Sequence, residues 1–235
     1  MGDWSSLRAA VRNAAKPPLI WWRDDDAVGE TPELIRLLAL SEATQAPVHI
    51  AVIPALLEPS LQPTLAGGTA RVLVHGWRHE NHAPPHEKKA EFRAHNQNAV
   101  QQAATGLARL QAAFGAQCDP VFVPPWNRFE PTFSAPLHAA GYRGLSLFGS
   151  DTADGPLKVV NTIVDPIYWR GHRGLADPGT LIEAAVQHLT HMPDEPLGLL
   201  THHLVQDDDT WAFSKRFLSE LLDAGAQLWG WETAA

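Results

Sequence analysis

Short apolar runs alternate along the chain with longer amphipathic stretches. "PPLIWWR" (17–23), "APVHIAVIP" (46–54), "ARVLVHG" (70–76) and "DPVFVPPW" (119–126) read as strands, the last broken by its two adjacent prolines. "YRGLSLFG" (142–149), "LKVVNTIVD" (157–165), "PLGLLTHHLV" (196–205) and "AQLWGWE" (226–232) extend the series. Between these runs the apolar positions recur at helical spacing, predicting helices over 31–44, 86–115, 131–141, 177–191 and 209–225. Thr31, Pro32 and Glu33 form a helix start, and Gly115 and Gly141 mark two stops. The acidic run "DDDT" (207–210) precedes a helix and reads as a cap that complements its dipole.

Strands alternating with helices imply a parallel sheet covered by helices. The expected fold class is α/β, a distorted parallel (β/α) barrel with about seven strands. No linker, repeat or low-complexity stretch interrupts the pattern, so one domain is expected over 1–235. An open doubly wound sheet is the alternative. Against it, the first strand is followed by "RDDDAVG" rather than by a glycine-rich phosphate loop.

Composition narrows the function by exclusion. The formal net charge of -8 argues against a nucleic-acid backbone or an anionic membrane surface as partner. No stretch approaches the roughly 20 apolar residues of a membrane span. The first residues lack the apolar run of a secretory leader, so a cytoplasmic location is expected. Cys118 is the single cysteine, which excludes an internal disulfide and any cysteine-rich zinc site. Twelve histidines and nine tryptophans are high counts, and the histidines direct attention to metal chemistry.

In a parallel barrel, functional side chains gather at the C-terminal ends of the strands. Asp24, Asp25 and Asp26 follow the first run, and His75, His79 and His82 follow the third. Trp126, Asn127 and Arg128 follow "VFVPP", and His202 and His203 follow "LGLLT". His75 and His79 are four apart, a spacing that places both imidazoles on one face of a helical turn. Two histidines and one aspartate suit zinc or another first-row divalent ion, an activator of water and of a carbonyl. Two zinc-protease motifs fail on single positions: Ala83 stands where His-Glu-x-x-His needs its second histidine, and Arg78 where His-x-x-Glu-His needs its glutamate. There is no Gly-x-Ser-x-Gly, and Cys118 sits before a strand rather than after one.

In this order the residues resemble the polysaccharide deacetylases of the NodB-homology type, carbohydrate esterase family four. The resemblance runs from about residue 18 to about 230. "WRDDDA" shares the two aspartates of Thr-Phe-Asp-Asp-Gly-Pro, and "HGWRH" shares both histidines of His-(Ser/Thr)-x-x-His. "VPPWN" keeps the proline and tryptophan of the third motif, and Leu200 and His202 match Leu-x-His. The resemblance implies metal-dependent hydrolysis of an N-acetyl group on a sugar or sugar-like amide, in a divergent, non-secreted branch. Asp24 is implied as general base and His202 as general acid. Asp25, His75 and His79 are implied as ligands of a divalent ion, zinc first, with cobalt, nickel or manganese as substitutes. Trp126 is implied as a wall of the acetyl pocket, with Asn127 beside it at the substrate. Three departures stand out. Val123 replaces the motif arginine, for which Arg23, Arg128 and Arg170 are candidates. Gly76 replaces the hydroxyl residue, and Asp26 replaces a glycine, an added charge that either raises the base pKa or is a ligand itself. His203 competes with His202. The alternative reading is a metal- or carbohydrate-binding protein that has lost turnover.

Overall fold

The first strand outlasts its apolar run. In the computed structural model, which describes residues 3–92 and 98–231, β1 spans Leu19–Ala27 and carries all three aspartates. The later strands are β2 (Val48–Val52), β3 (Arg71–His75), β4 (Cys118–Val123), β5 (Gly144–Leu145), β6 (Lys158–Val159), β7 (Leu197–Thr201) and β8 (Gln227–Leu228). The helices are α1 (Trp4–Arg12), α2 (Pro32–Thr44), α3 (Leu61–Leu65), α4 (Ala99–Phe114), α5 (Ser134–Ala139), α6 (Pro178–His191) and α7 (Asp208–Ala224). Strand and helix alternate except between β5 and β6, and the paired strands run parallel, as the α/β expectation requires.

The residues pack into two compact units, neither of them a continuous stretch of chain, so no linker is visible in the composition. One unit holds the chain up to Asp24, Pro32–Val48 and everything from Thr162 onward. There β1 pairs with β7 from Ile20↔Leu197 to Asp24↔Thr201, and with β8 at Leu19 and Ile20. Trp21 is buried with its ring edge-on to Trp229 and Trp231, at 5.8 and 6.1 Å. Helix α1 packs against α6 and α7, with Leu7 and Val11 turned inward. Asp207 caps α7: its Oδ1 accepts from the Thr210 amide at 2.9 Å and the Thr210 hydroxyl at 2.5 Å. The structural reading of "DDDT" therefore holds.

The second unit holds Asp25–Thr31 and His49–Asn161. Its strands pair in the order β2-β3-β4-β5-β6. The end of β1 joins them where the Ala27 carbonyl accepts from the Ile53 amide at 3.0 Å. Phe122 on β4 is fully buried, edge-on to Phe92 at 4.8 Å and Tyr142 at 5.4 Å. β4 ends at Val123 because Pro124 and Pro125 bring no amide hydrogen to extend the ladder.

Two sequence expectations change. The helix over 86–115 is only α4; residues 86–92 form a loop that turns Glu91 and Phe92 into the interior, and residues 93–97, His95 included, lie outside the described set. Residues 4–12 form a helix that the sequence reading inspected only for a leader. The runs at 142–149, 157–165 and 226–232 yield strands of two residues each, with Glu232 outside the described set. No helix among the described residues is long and apolar enough to cross a membrane.

Replacing Asp207 by alanine is expected to cost about 1 kcal/mol in urea unfolding at neutral pH. Its two bonds to Thr210 hold the Asp207 carboxyl below the usual aspartate value. The cap's stabilisation is present above the unfolded aspartate pKa and is lost as pH falls through the lower folded value. The difference between wild type and variant should therefore vanish in acid.

Candidate metal centre and active site

Two clusters of polar side chains grow from the aspartate triplet, one in each unit. In the second unit, Asp26 Oδ1 lies 3.1 Å from His75 Nε2 and 3.4 Å from His79 Nε2. The three offer ligand atoms that all lie within 4.8 Å of one another. Two imidazoles and a carboxylate at that separation fit a first-row divalent ion with positions left for water or substrate. His75 is buried at the end of β3, and its Nδ1 donates to the Val123 carbonyl at 3.0 Å, which leaves Nε2 as the ligating nitrogen. Burial, aided by the neighbouring His75, lowers the His79 pKa despite the opposing pull of Asp26 and Asp25. A lowered pKa keeps the ring neutral, the form that binds a metal.

Asp26, not Asp25, places its carboxylate in this cluster. The reason is local. Asp26 has φ 77°, so the extended alternation of β1 breaks at that residue. Asp25 remains buried, and its charge acts on His79.

The loop between the two histidines is tightly held. Gly76 has φ 55°, and a Cβ there would stand 2.2 Å from Glu91 Oε2 and 2.6 Å from Pro125. The hydroxyl residue of the family motif therefore has no room, which explains one departure. Buried Glu91 accepts from the Trp77 amide at 3.0 Å and the Arg78 amide at 2.6 Å. The Trp77 carbonyl accepts from Ala55, and the Val123 carbonyl accepts from Gly76 as well as from His75. The chain then enters the left-handed region at His79, φ 59°. Trp126 packs on the His79 ring at 4.3 Å, and Trp126 and Asn127 are themselves left-handed, φ 57° and 53°. Each such non-glycine residue costs of order 1–3 kcal/mol, so the surrounding contacts must enforce the conformation. Asn127 and Arg128 line a polar cavity of about 340 Å³ with Asp151 and Thr152.

In the first unit, Asp24 is fully buried. Its Oδ2 accepts from the Thr201 hydroxyl at 2.6 Å and the His203 amide at 3.0 Å, and its Oδ1 accepts from His203 Nδ1 at 2.5 Å. Trp22 Nε1 in turn donates to Thr201 Oγ1 at 2.8 Å. These bonds fix the His203 ring and commit the Asp24 carboxylate. His202 sits differently: its ring is edge-on to Trp169 at 4.7 Å, and Trp169 is held by a 2.7 Å bond to Asp165.

The sequence points to His75, His79, Trp126 and the triplet, which lie in or beside these two clusters, but not to Glu91 and Thr201. Thr201 had no local signal, because its hydroxyl comes opposite Asp24 only through the register of β1 on β7. Glu91 had none, because it was assigned to a helix. Burial pushes the Cys118 thiol up to about 12, so it stays protonated and is no nucleophile.

No sequence-family profile matches the chain, and neither does any curated protein. Solved structures do match. A polysaccharide deacetylase from Bacillus cereus is 16% identical, with TM-score 0.60, covering 92% of this chain and 94% of that one. A family 4 carbohydrate esterase from Streptomyces lividans, in complex with acetate, is 17% identical, with TM-score 0.56, covering 89% and 90%. A family 4 pseudoenzyme from Bacillus anthracis is 13% identical, with TM-score 0.59, covering 91% of this chain and 63% of that one. The chain therefore has the fold of the family four deacetylases, the distorted (β/α) barrel of NodB type.

Gly76→Ala is expected to lower stability by about 1–3 kcal/mol in urea unfolding, through overpacking against Pro125 and Glu91. Thr201→Val should cost about 1–3 kcal/mol by removing a donor from buried Asp24, again read by urea unfolding.

Proposed function

We propose that the protein is a divalent-metal-dependent hydrolase that removes an N-acetyl or similar acyl group from a sugar or sugar-like amide. The cluster of Asp26, His75 and His79 at the ends of β1 and β3 carries this reading, in a fold shared with carbohydrate deacetylases. Zinc suits the donor set first, with cobalt, nickel or manganese as substitutes. When bound, the ion supplies Lewis-acid polarisation of the amide carbonyl and activation of water.

The chain's own residues supply the rest. Asp24 already accepts three hydrogen bonds, so the base role expected of it passes to Asp25, buried and in electrostatic range of His79. Asp25 takes the proton of the attacking water. Asp24 instead accepts from His203 Nδ1 and supports the doubly protonated ring, whose Nε2 hydrogen passes to the departing amine and is replaced from solvent. His203 thus displaces His202 as proposed acid. Trp126 walls the acyl group, and Asn127 and Arg128 bind sugar hydroxyls in the cavity they share with Asp151 and Thr152.

A second reading, a binding protein without turnover, draws support from the lost motif arginine at Val123 and from the pseudoenzyme with the same fold. An acetate-release assay on a panel of N-acetyl sugars separates the two. Activity should disappear with chelator and return with zinc or cobalt; stoichiometric metal with no turnover on any substrate would favour the second reading. Asp25→Asn should lower kcat about 10²–10⁴-fold while retaining metal. Asp26→Ala should lose the metal. His203→Ala should lower kcat far more than His202→Ala; the reverse order would return the acid role to His202.

A further inference from the structure

We infer that Glu91 is the positioning residue of the metal-binding loop, shaping the segment His75–His79 so that both imidazoles reach one ion. The inference rests on the proposed metal site and adds to it a residue that neither touches the ion nor belongs to any of the four motifs.

The segment must do something unusual. His75 closes a strand and is fixed by the Val123 carbonyl, while His79 must return its ring to within reach of the same aspartate. The chain makes this turn through left-handed Gly76 and ends it on left-handed His79. Glycine adopts its conformation freely, but the left-handed region costs His79, so some contact has to hold the turn. Glu91 makes that contact. Its two oxygens accept from the amides of Trp77 and Arg78, the consecutive residues between the left-handed positions. Successive amides converging on one anion form a nest, and charge-assisted bonds of this kind are roughly twice as strong as neutral ones.

Three further observations separate this role from general packing. Glu91 is 1% exposed, so water cannot replace it as acceptor for those amides. It is anchored from behind by Phe92, whose buried ring sits between Phe122 and Phe133 at 4.8 and 6.2 Å. A Cβ at residue 76 would meet its Oε2 at 2.2 Å as well as the Pro125 ring at 2.6 Å, so the carboxylate packs directly on the Gly76 backbone. With glycine at residue 76, the Glu91 carboxylate can approach the loop closely and order it from outside.

The test compares wild type, Glu91→Gln and Glu91→Ala for zinc affinity by calorimetry and for the visible spectrum of bound cobalt. Circular dichroism tracks the folded fraction. Glu91→Ala should weaken metal affinity about 10–100-fold, the range seen when groups that orient ligands are removed. Glu91→Gln keeps the shape but turns an NH2 group toward one amide hydrogen. It should fold, bind metal less tightly than wild type and show an altered cobalt spectrum. A purely structural role would lower stability but leave the affinity and spectrum of the folded protein unchanged, and that result in Glu91→Gln would overturn the inference. Wild type that binds neither metal would instead overturn the metal site, and the role of Glu91 with it.

Discussion

A carboxylate withdrawn from water must be met by donors or cations, and β1 carries three in a row at its end. Asp24 and Asp25 are almost wholly buried, and Asp26 is partly so. Left uncompensated, such charges would cost several kcal/mol each. Asp24 is answered by Thr201 and His203, whereas Asp26 and the Nε2 atoms of His75 and His79 stand together where the proposed divalent ion would supply the compensating charge. Each compensation recruits a particular strand end: β7 for Asp24, β3 for Asp26. The demand of the triplet for partners thus explains why the polar residues cluster where they do.

Around the second of these clusters the backbone is held in conformations it would not choose. Asp26, His79, Trp126 and Asn127 all have positive φ. Their neighbours enforce this: the Val123 carbonyl takes two donors, Glu91 takes two amides, and Trp126 lies on the His79 ring. Strain concentrated at one side-chain cluster points to a function that needs the geometry. Gly76 belongs to the same geometry, because its φ of 55° and the nearness of Pro125 and Glu91 leave no room for a side chain.

The fold alone does not decide activity, because the similar structures include a deacetylase and a pseudoenzyme. What separates these outcomes is a handful of side chains held to within fractions of an ångström. Here the held groups are an Asp–His–His set and an Asp-supported imidazole, both ordered by buried hydrogen bonds.

The sequence by itself determined the parallel α/β class, the strand ends where carboxylates and imidazoles gather, and the two histidines four apart. These are local: apolar period, proline stops and residue spacing carry them. Which aspartate meets the histidines was not local. Asp25 and Asp26 are equivalent by spacing, and only the left-handed turn at Asp26 selects between them. His202 and His203 were likewise equivalent until the register of β1 on β7 brought Asp24 level with Thr201. Glu91 was invisible because it lies 12 residues beyond His79 in a stretch with helical periodicity, and it became an interior residue only when the loop folded back. Such choices are made by hydrogen bonds between distant segments, which exist only once the chain is packed.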